Sequence, residues 1–251
     1  MITGAIYPSL KGKTVFITGG AMGIGAAFVE AFHQQGAKVA FVDIAKEAGD
    51  KLTGRLGSDL WFGHCDVTDT EALQHAIKDA AAAQGPITIL INNAAHDERH
   101  TLEEMTSDYW DDRVAVNLKH QFFASQAVAP MMKAAGGGAI INMGSTSWMI
   151  GLGGMAAYTA SKSAVTGLTR SLARDLGSFN IRVNSLLPGW IMTERQKSLW
   201  LTPEGEKDIM KFQCLKRKLY PQDMAKVALF LASDEAGACT NQDFIADGGW
   251  V

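Results

Sequence analysis

The sequence predicts a three-layer α/β fold: a seven-stranded parallel sheet with helices on both faces. Three observations carry this. Short apolar, β-branched runs alternate with stretches of helical period along all 251 residues. The runs are apolar at successive positions, as in strands covered on both faces. A glycine-rich turn joins the first run to the first helix. Parallel strands need right-handed crossovers, which place ligands at the strands' carboxyl ends.

The first strand is Thr14 to Thr18, followed by Gly19-Gly20-Ala21-Met22-Gly23-Ile24-Gly25 and a helix over Ala26 to Gln35 that stops at Gly36. Glycines are needed where a side chain would block the backbone's approach to a pyrophosphate, and the helix N-terminus then faces that anion. This is the strand–turn–helix unit of a Rossmann fold. Lys38 to Asp43 is the second strand. Asp43 can accept hydrogen bonds from an adenosine ribose and would repel a 2′-phosphate, which favours NAD over NADP. It can equally cap the helix running from Ala45 to Leu56. Leu60 to Cys65 is the third strand, and it leads to Asp66 and Val67, placed to flank an adenine. Thr68 or Asp69 caps a helix over Thr70 to Gln84, broken by Gly85-Pro86. Ile87 to Ile91 is the fourth strand and runs into Asn92-Asn93-Ala94-Ala95.

In the second half, His96 to Thr106 reads as a loop, and Ser107 is the expected cap of one long helix to about Met132. Asn117 falls inside it, where asparagine is slightly unfavourable. Ala139 to Met143 is the fifth strand, and a loop from Gly144 leads to the helix that carries Tyr158 and Lys162. These two residues are four apart and share one helical face, so the ammonium is expected to lower the phenol's pKa and make it a general acid or base. Ile181 to Leu187 is strand six, Pro221 opens a last helix to Ala232, and Phe244 to Ala246 is strand seven.

Composition excludes several classes. With a net charge of −3 and no basic run longer than Lys216-Arg217-Lys218, nucleic acid and anionic membranes are not expected as main partners. Cys65, Cys214 and Cys239 are too scattered for a metal motif or a disulfide framework, so no metal is expected. Met1 to Lys13 lacks the pattern of a leader, and no apolar run reaches the roughly 18 residues that span a bilayer. The expectation is a soluble, cytoplasmic, single-domain protein.

The motifs resemble those of the short-chain dehydrogenase/reductase family. They are Thr18-Gly19-x3-Gly23-x-Gly25, Asp66, Asn92-Asn93-Ala94, Asn117, Ser145, Tyr158-x3-Lys162, Pro188-Gly189 and Asp247-Gly248-Gly249. One departure is Ala95, where the family usually has glycine. The resemblance implies a catalytic tetrad of Asn117, Ser145, Tyr158 and Lys162. Tyr158 would be the acid/base, Ser145 would hold the reacting oxygen, Lys162 would bind the nicotinamide ribose, and the Asn117 carbonyl would hold a relay water. NAD would lie against Gly19, Met22, Gly23, Ile24, Gly25, Asp43, Ile44, Asp66, Val67, Asn93 and Ala94, with Pro188, Gly189, Ile191 and Thr193 on the carboxamide side. The resemblance also implies a mobile substrate lid over about 190–218 and a homotetramer.

Further segments, including Asn92 to His100, Tyr109 to Arg113 and Gly144 to Trp148, are similar to bacterial aldose (xylose-type) 1-dehydrogenases. That similarity implies oxidation of a sugar C1 hydroxyl to the lactone. A sugar site needs hydrogen-bonding groups and an aromatic face, and His96, Ser147, Trp148 and Trp190, with Ser145 and Tyr158, are the candidates. Asp97, Arg99 and Arg195 lie in the same loops, where Asp97 to Arg99 can equally be a surface ion pair. Trp148 and Trp190 can equally be loop packing. The rival functions are another secondary-alcohol dehydrogenase, a 3-oxoacyl thioester reductase, and an NAD sensor without chemistry.

Overall fold

The computed structural model describes residues 4–251. Its seven strands are β1 (Thr14–Thr18), β2 (Lys38–Asp43), β3 (Trp61–His64), β4 (Ile87–Asn92), β5 (Gly138–Met143), β6 (Ile181–Pro188) and β7 (Asp243–Ala246). All pair in parallel, in the order β3-β2-β1-β4-β5-β6-β7. The chain order reverses between β1 and β4, so a crevice opens at their carboxyl ends.

Nine α-helices cover the sheet among the described residues: α1 (Gly23–Gln34), α2 (Lys46–Leu56), α3 (Thr70–Gln84), α4 (Ser107–Val114), α5 (His120–Ala134), α6 (Ala156–Leu176), α7 (Glu194–Leu199), α8 (Pro203–Phe212) and α9 (Pro221–Ala232). Successive side chains of a strand point to opposite faces. Val15 and Ile17 of β1 therefore join Phe28 and Phe32 of α1 and Leu229 of α9 in one core. Phe16 between them joins Leu73 and Ile77 of α3 and Val128 of α5 in the other. Each of these buried side chains contributes about 1.5–3 kcal/mol.

Three local expectations are corrected. The helix expected from Ser107 to Met132 is interrupted: Ala115–Lys119 is a π-helical segment between α4 and α5. A π-turn fits one extra residue into the helix, and Asn117 lies within this segment. The cap of α4 is Thr106 and not Ser107; its hydroxyl accepts from Tyr109 N at 3.2 Å while its own backbone is still extended. Finally, 190–218 holds two helices that charge patterning alone hides. Thr193 caps α7 and Thr202 caps α8, the latter with Pro203 in its first turn.

Candidate active site

The crevice begins at the glycine turn. Gly19 and Gly23 have φ of +65° and +56°, which side chains rarely adopt. A Cβ on Gly25 would stand 1.9 Å from Gly19 O, and one on Gly19 would stand 2.8 Å from Ala94 Cα. The turn is thus packed backbone against backbone. Asn93 clasps it, donating from Nδ2 to Thr18 O at 3.1 Å and Gly19 O at 2.8 Å. Thr18 Oγ1 accepts from Asn93 N at 2.9 Å and Ala94 N at 3.0 Å, and lies 3.3 Å from His120 Nε2. With two donors already pointing in, the hydroxyl hydrogen is directed to the ring nitrogen, which must be an unprotonated acceptor. Accordingly, burial pushes His120 down to about 3, with the Lys162 charge adding to the effect.

A cavity of about 1080 Å³ runs along the ends of β1, β2, β3 and β4. Gly19, Met22, Gly23, Ile24, Gly25, Asp43, Ile44, Asp66, Val67, Asn93, Ala94 and Thr193 all line it. It opens on the N-terminus of a 12-residue helix, the shape and polarity a dinucleotide needs. Asp43 is buried here and has partners of its own: Oδ2 accepts from Ala21 N and Oδ1 from Ala45 N, both at 2.9 Å. The capping alternative is not realised: α2 starts at Lys46 with Ala45 as an N-cap that has no side-chain cap, and Asp43 bonds the backbone just ahead of it. The same carboxylate ties the glycine turn to β2. Each oxygen keeps a lone pair for a ribose hydroxyl.

The second cavity, of about 380 Å³, adjoins the first and shares Ile24, Asn93, Ala95 and Thr193 with it. Ser145, Tyr158 and Lys162 line it, with Ser147, Trp190, Pro188, Gly189 and Ile191. Ser145 Oγ accepts from Ser147 N at 3.1 Å, and its hydroxyl is also hydrogen-bonded to the Tyr158 phenol. Lys162 is only 1% exposed and donates to Met143 O at 2.8 Å.

The expectation that the lysine lowers the phenol's pKa does not hold in this arrangement. Burial pushes Tyr158 up to about 12, against the pull of the Ser145 hydrogen bond. Burial likewise pushes Lys162 down to about 7. The ammonium is turned to the Met143 carbonyl and stands 5.7 Å from the tyrosine ring centroid, so desolvation outweighs attraction.

Asn117 lies behind this site and lines neither cavity. Its side chain pins the loop after β4, accepting from His96 N at 2.9 Å and donating to His96 O at 3.0 Å and Arg113 O at 2.9 Å. That resolves the mid-helix asparagine: its amide satisfies loop backbone that the π-segment brings alongside. Its carbonyl, expected to face a water, already accepts from Gln121 Nε2 at 3.2 Å.

Two substrate candidates are placed elsewhere. His96 lines the dinucleotide-shaped cavity, with its ring nitrogen 3.7 Å from Glu98. Trp148 lines neither cavity. In their place the structure brings in residues that the sequence reading missed: Gln196 from α7, Asp208, Ile209 and Phe212 from α8, and Trp250 from the tail. Phe212 and Trp250 stack at 5.7 Å between centroids. The helix signals Thr193 and Thr202-Pro203 could have found the α7 and α8 residues, whereas nothing local marks Trp250.

Comparison with known proteins agrees with this geometry. Residues 19–251 match the family described as enoyl-(acyl carrier protein) reductase. The chain is 48% identical over 252 residues to D-xylose 1-dehydrogenase of Caulobacter vibrioides, covering 99% of this chain and all of that one. It is 47% identical over 247 residues to a Rhizobium meliloti protein named "Probable galactose dehydrogenase GalD", covering 97% and 96% of the two chains. Among solved structures, a 7α-hydroxysteroid dehydrogenase complexed with NADH and 7-oxo glycochenodeoxycholic acid superposes with a TM-score of 0.92 at 33% identity, covering 97% and 96% of the two chains.

Proposed function

The chain belongs to the short-chain dehydrogenase/reductase family and is an oxidoreductase acting on alcohol groups; from that premise we propose that it oxidises the C1 hydroxyl of a cyclic aldose to the lactone, with NAD as acceptor. The observation that carries this reading is one cavity in which Ser145, Tyr158 and Lys162 meet the polar groups of Ser147, Asp97, Arg99 and Gln196 beside the rings of Trp190 and Trp250. Hydroxyl-rich faces suit the polar set and C–H faces suit the rings. The likeness to xylose and galactose dehydrogenases supports a sugar.

In this proposal Asp43 accepts the adenosine ribose hydroxyls, and the turn from Gly19 to Gly25 holds the pyrophosphate. Thr193, Pro188, Gly189 and Ile191 hold the carboxamide end. The oxidised nicotinamide, when bound, brings a positive ring and accepts the hydride from C1. Ser145 Oγ holds the reacting oxygen. Tyr158 Oη takes the hydroxyl proton, and Lys162 supplies a positive charge beside the phenolate. Because burial, with the Asp97 charge adding to it, holds the phenol near 12, proton removal at neutral pH depends on positive charge gathered at this site.

A second reading has an observation behind it. The same cavity is also walled by Ile150, Leu152, Met155, Ile209 and Phe212, and the superposed neighbour is a hydroxysteroid dehydrogenase. A larger apolar secondary alcohol would use those walls. A panel of aldoses and hydroxysteroids, each with NAD and NADP and followed by NAD(P)H absorbance, separates the two. Turnover of one or more aldoses, faster with NAD, is the expected result; turnover confined to apolar alcohols overturns the sugar reading. We also propose a cytoplasmic protein and, supported by exposed Phe122, Phe179 and Ile245 on and beside α5, α6 and β7, a homotetramer.

A further inference from the structure

Asp97 lies in the loop after β4, yet its side chain is only 15% exposed. Both of its oxygens are taken by the lid. Oδ1 accepts from Arg195 Nε at 3.0 Å, and Oδ2 accepts from Gln196 Nε2. The two donors are neighbours in the first turn of α7, whose N-terminus Thr193 caps. Asp97 and Gln196 face the cavity that holds Tyr158 and Lys162, while Arg195 faces the dinucleotide-shaped cavity. The ion pair is therefore part of the partition between the two.

We infer that Asp97 is a positioning residue that makes proton removal by Tyr158 depend on closure of the lid. The inference rests on the reading of Tyr158 as the base. A carboxylate in a poorly hydrated cavity opposes a second negative charge on the phenolate. The Arg195 guanidinium against it offsets part of that opposition. When α7 moves away, the carboxylate is left facing the phenol and the phenolate costs more to form. The base thus reaches full strength only once the lid has enclosed the substrate.

The charged surroundings agree. Asp97 acts on both Tyr158 and Lys162, favouring the protonated form of each. Arg99 of the same loop acts on Tyr158 in the opposite sense. Ser145 reaches the phenol from the loop after β5, Lys162 stands on the phenol's own helix, and Asp208 of α8 lines the far wall. His120 stands behind Lys162 and is uncharged, while His96 is paired with Glu98 on the other side of the partition.

The test is the pH profile of kcat for the wild type, Asp97→Asn, Arg195→Gln and the double variant. It is run on whichever alcohol the wild type oxidises, so failure of the sugar reading leaves it intact. Removing the carboxylate moves the acidic limb to lower pH, and removing its partner moves it to higher pH, each by about half a unit or more. The double variant falls with Asp97→Asn. A residue that merely braced the loop would change KM in both single variants and leave the limb in place. Limb shifts that are absent, or that share one direction, overturn the inference. Limited proteolysis, done without substrate or cofactor, reads the clasp itself: both single variants are cut faster than the wild type within residues 194–212. Equal cutting overturns the clasp. Circular dichroism confirms that the variants keep the fold.

Discussion

At the scale of single residues, the glycine turn shows most sharply how identity becomes geometry. Gly25 has no room for a side chain, because the obstacle 1.9 Å from its Cβ position is the Gly19 carbonyl and no rotamer can move that. Gly25→Ala is expected to lose about 1–3 kcal/mol of stability through backbone displacement, and to lose NAD binding with it. Urea denaturation and a fluorescence titration with NAD check this; an unchanged midpoint and affinity would show that the turn has slack that the structure denies. Asp43 was legible as a functional acid, but its bond from Ala21 N was not. It depends on a glycine turn 22 residues away in sequence folding back over β2. Tyr158 and Lys162 were legible as a pair four residues apart. Their protonation was not, because spacing gives proximity while burial sets the balance of charge.

At the scale of elements, the helix after β4 was the hardest to read. Its composition gives one continuous helical signal from Ser107 onward, and nothing in that signal marks a π-turn. The clue was chemical: an asparagine in mid-helix needs partners, and Asn117 finds them on the His96 backbone. The same helix carries His120 against the end of β1. Burial of this histidine makes stability depend on pH with a definite sign. Unfolded, His120 takes up a proton near its ordinary value of 6.5; folded, it does so only near 3. Over that window the unfolded state holds the extra proton, so stability falls as pH falls, by up to about 1.4 kcal/mol per pH unit. Between about pH 6.5 and 5, above the carboxylate range, His120→Asn is expected to flatten the slope of unfolding free energy against pH. Equal slopes for the two proteins would show that His120 is not held neutral. Helices α7 and α8 were missed for a different reason. They are short and carry many charges, and their starts are marked by the caps Thr193 and Thr202 with Pro203.

At the scale of the whole molecule, the fold was legible almost entirely. Apolar runs gave seven parallel strands, and the glycine turn marked which strand ends would bind. The boundary between the two cavities was not legible, because it is made by Asp97 and Arg195, 98 residues apart, which meet where α7 lies against the loop after β4. Trp250 and Phe212 likewise meet across the length of the tail. The smaller cavity is thus assembled from the parts of the chain with the least local pattern, while the larger one sits on the strands and turns with the most. In the proposed function the two join, with Tyr158 withdrawing a proton from a sugar held in the smaller cavity. It is tested most directly by measuring NADH formation from a cyclic aldose by the wild type and by Tyr158→Phe side by side, with NAD affinity measured on both. The account predicts turnover by the wild type, a loss of about 10²–10⁴-fold or more in the variant, and unchanged NAD affinity; comparable turnover by the two proteins would contradict it.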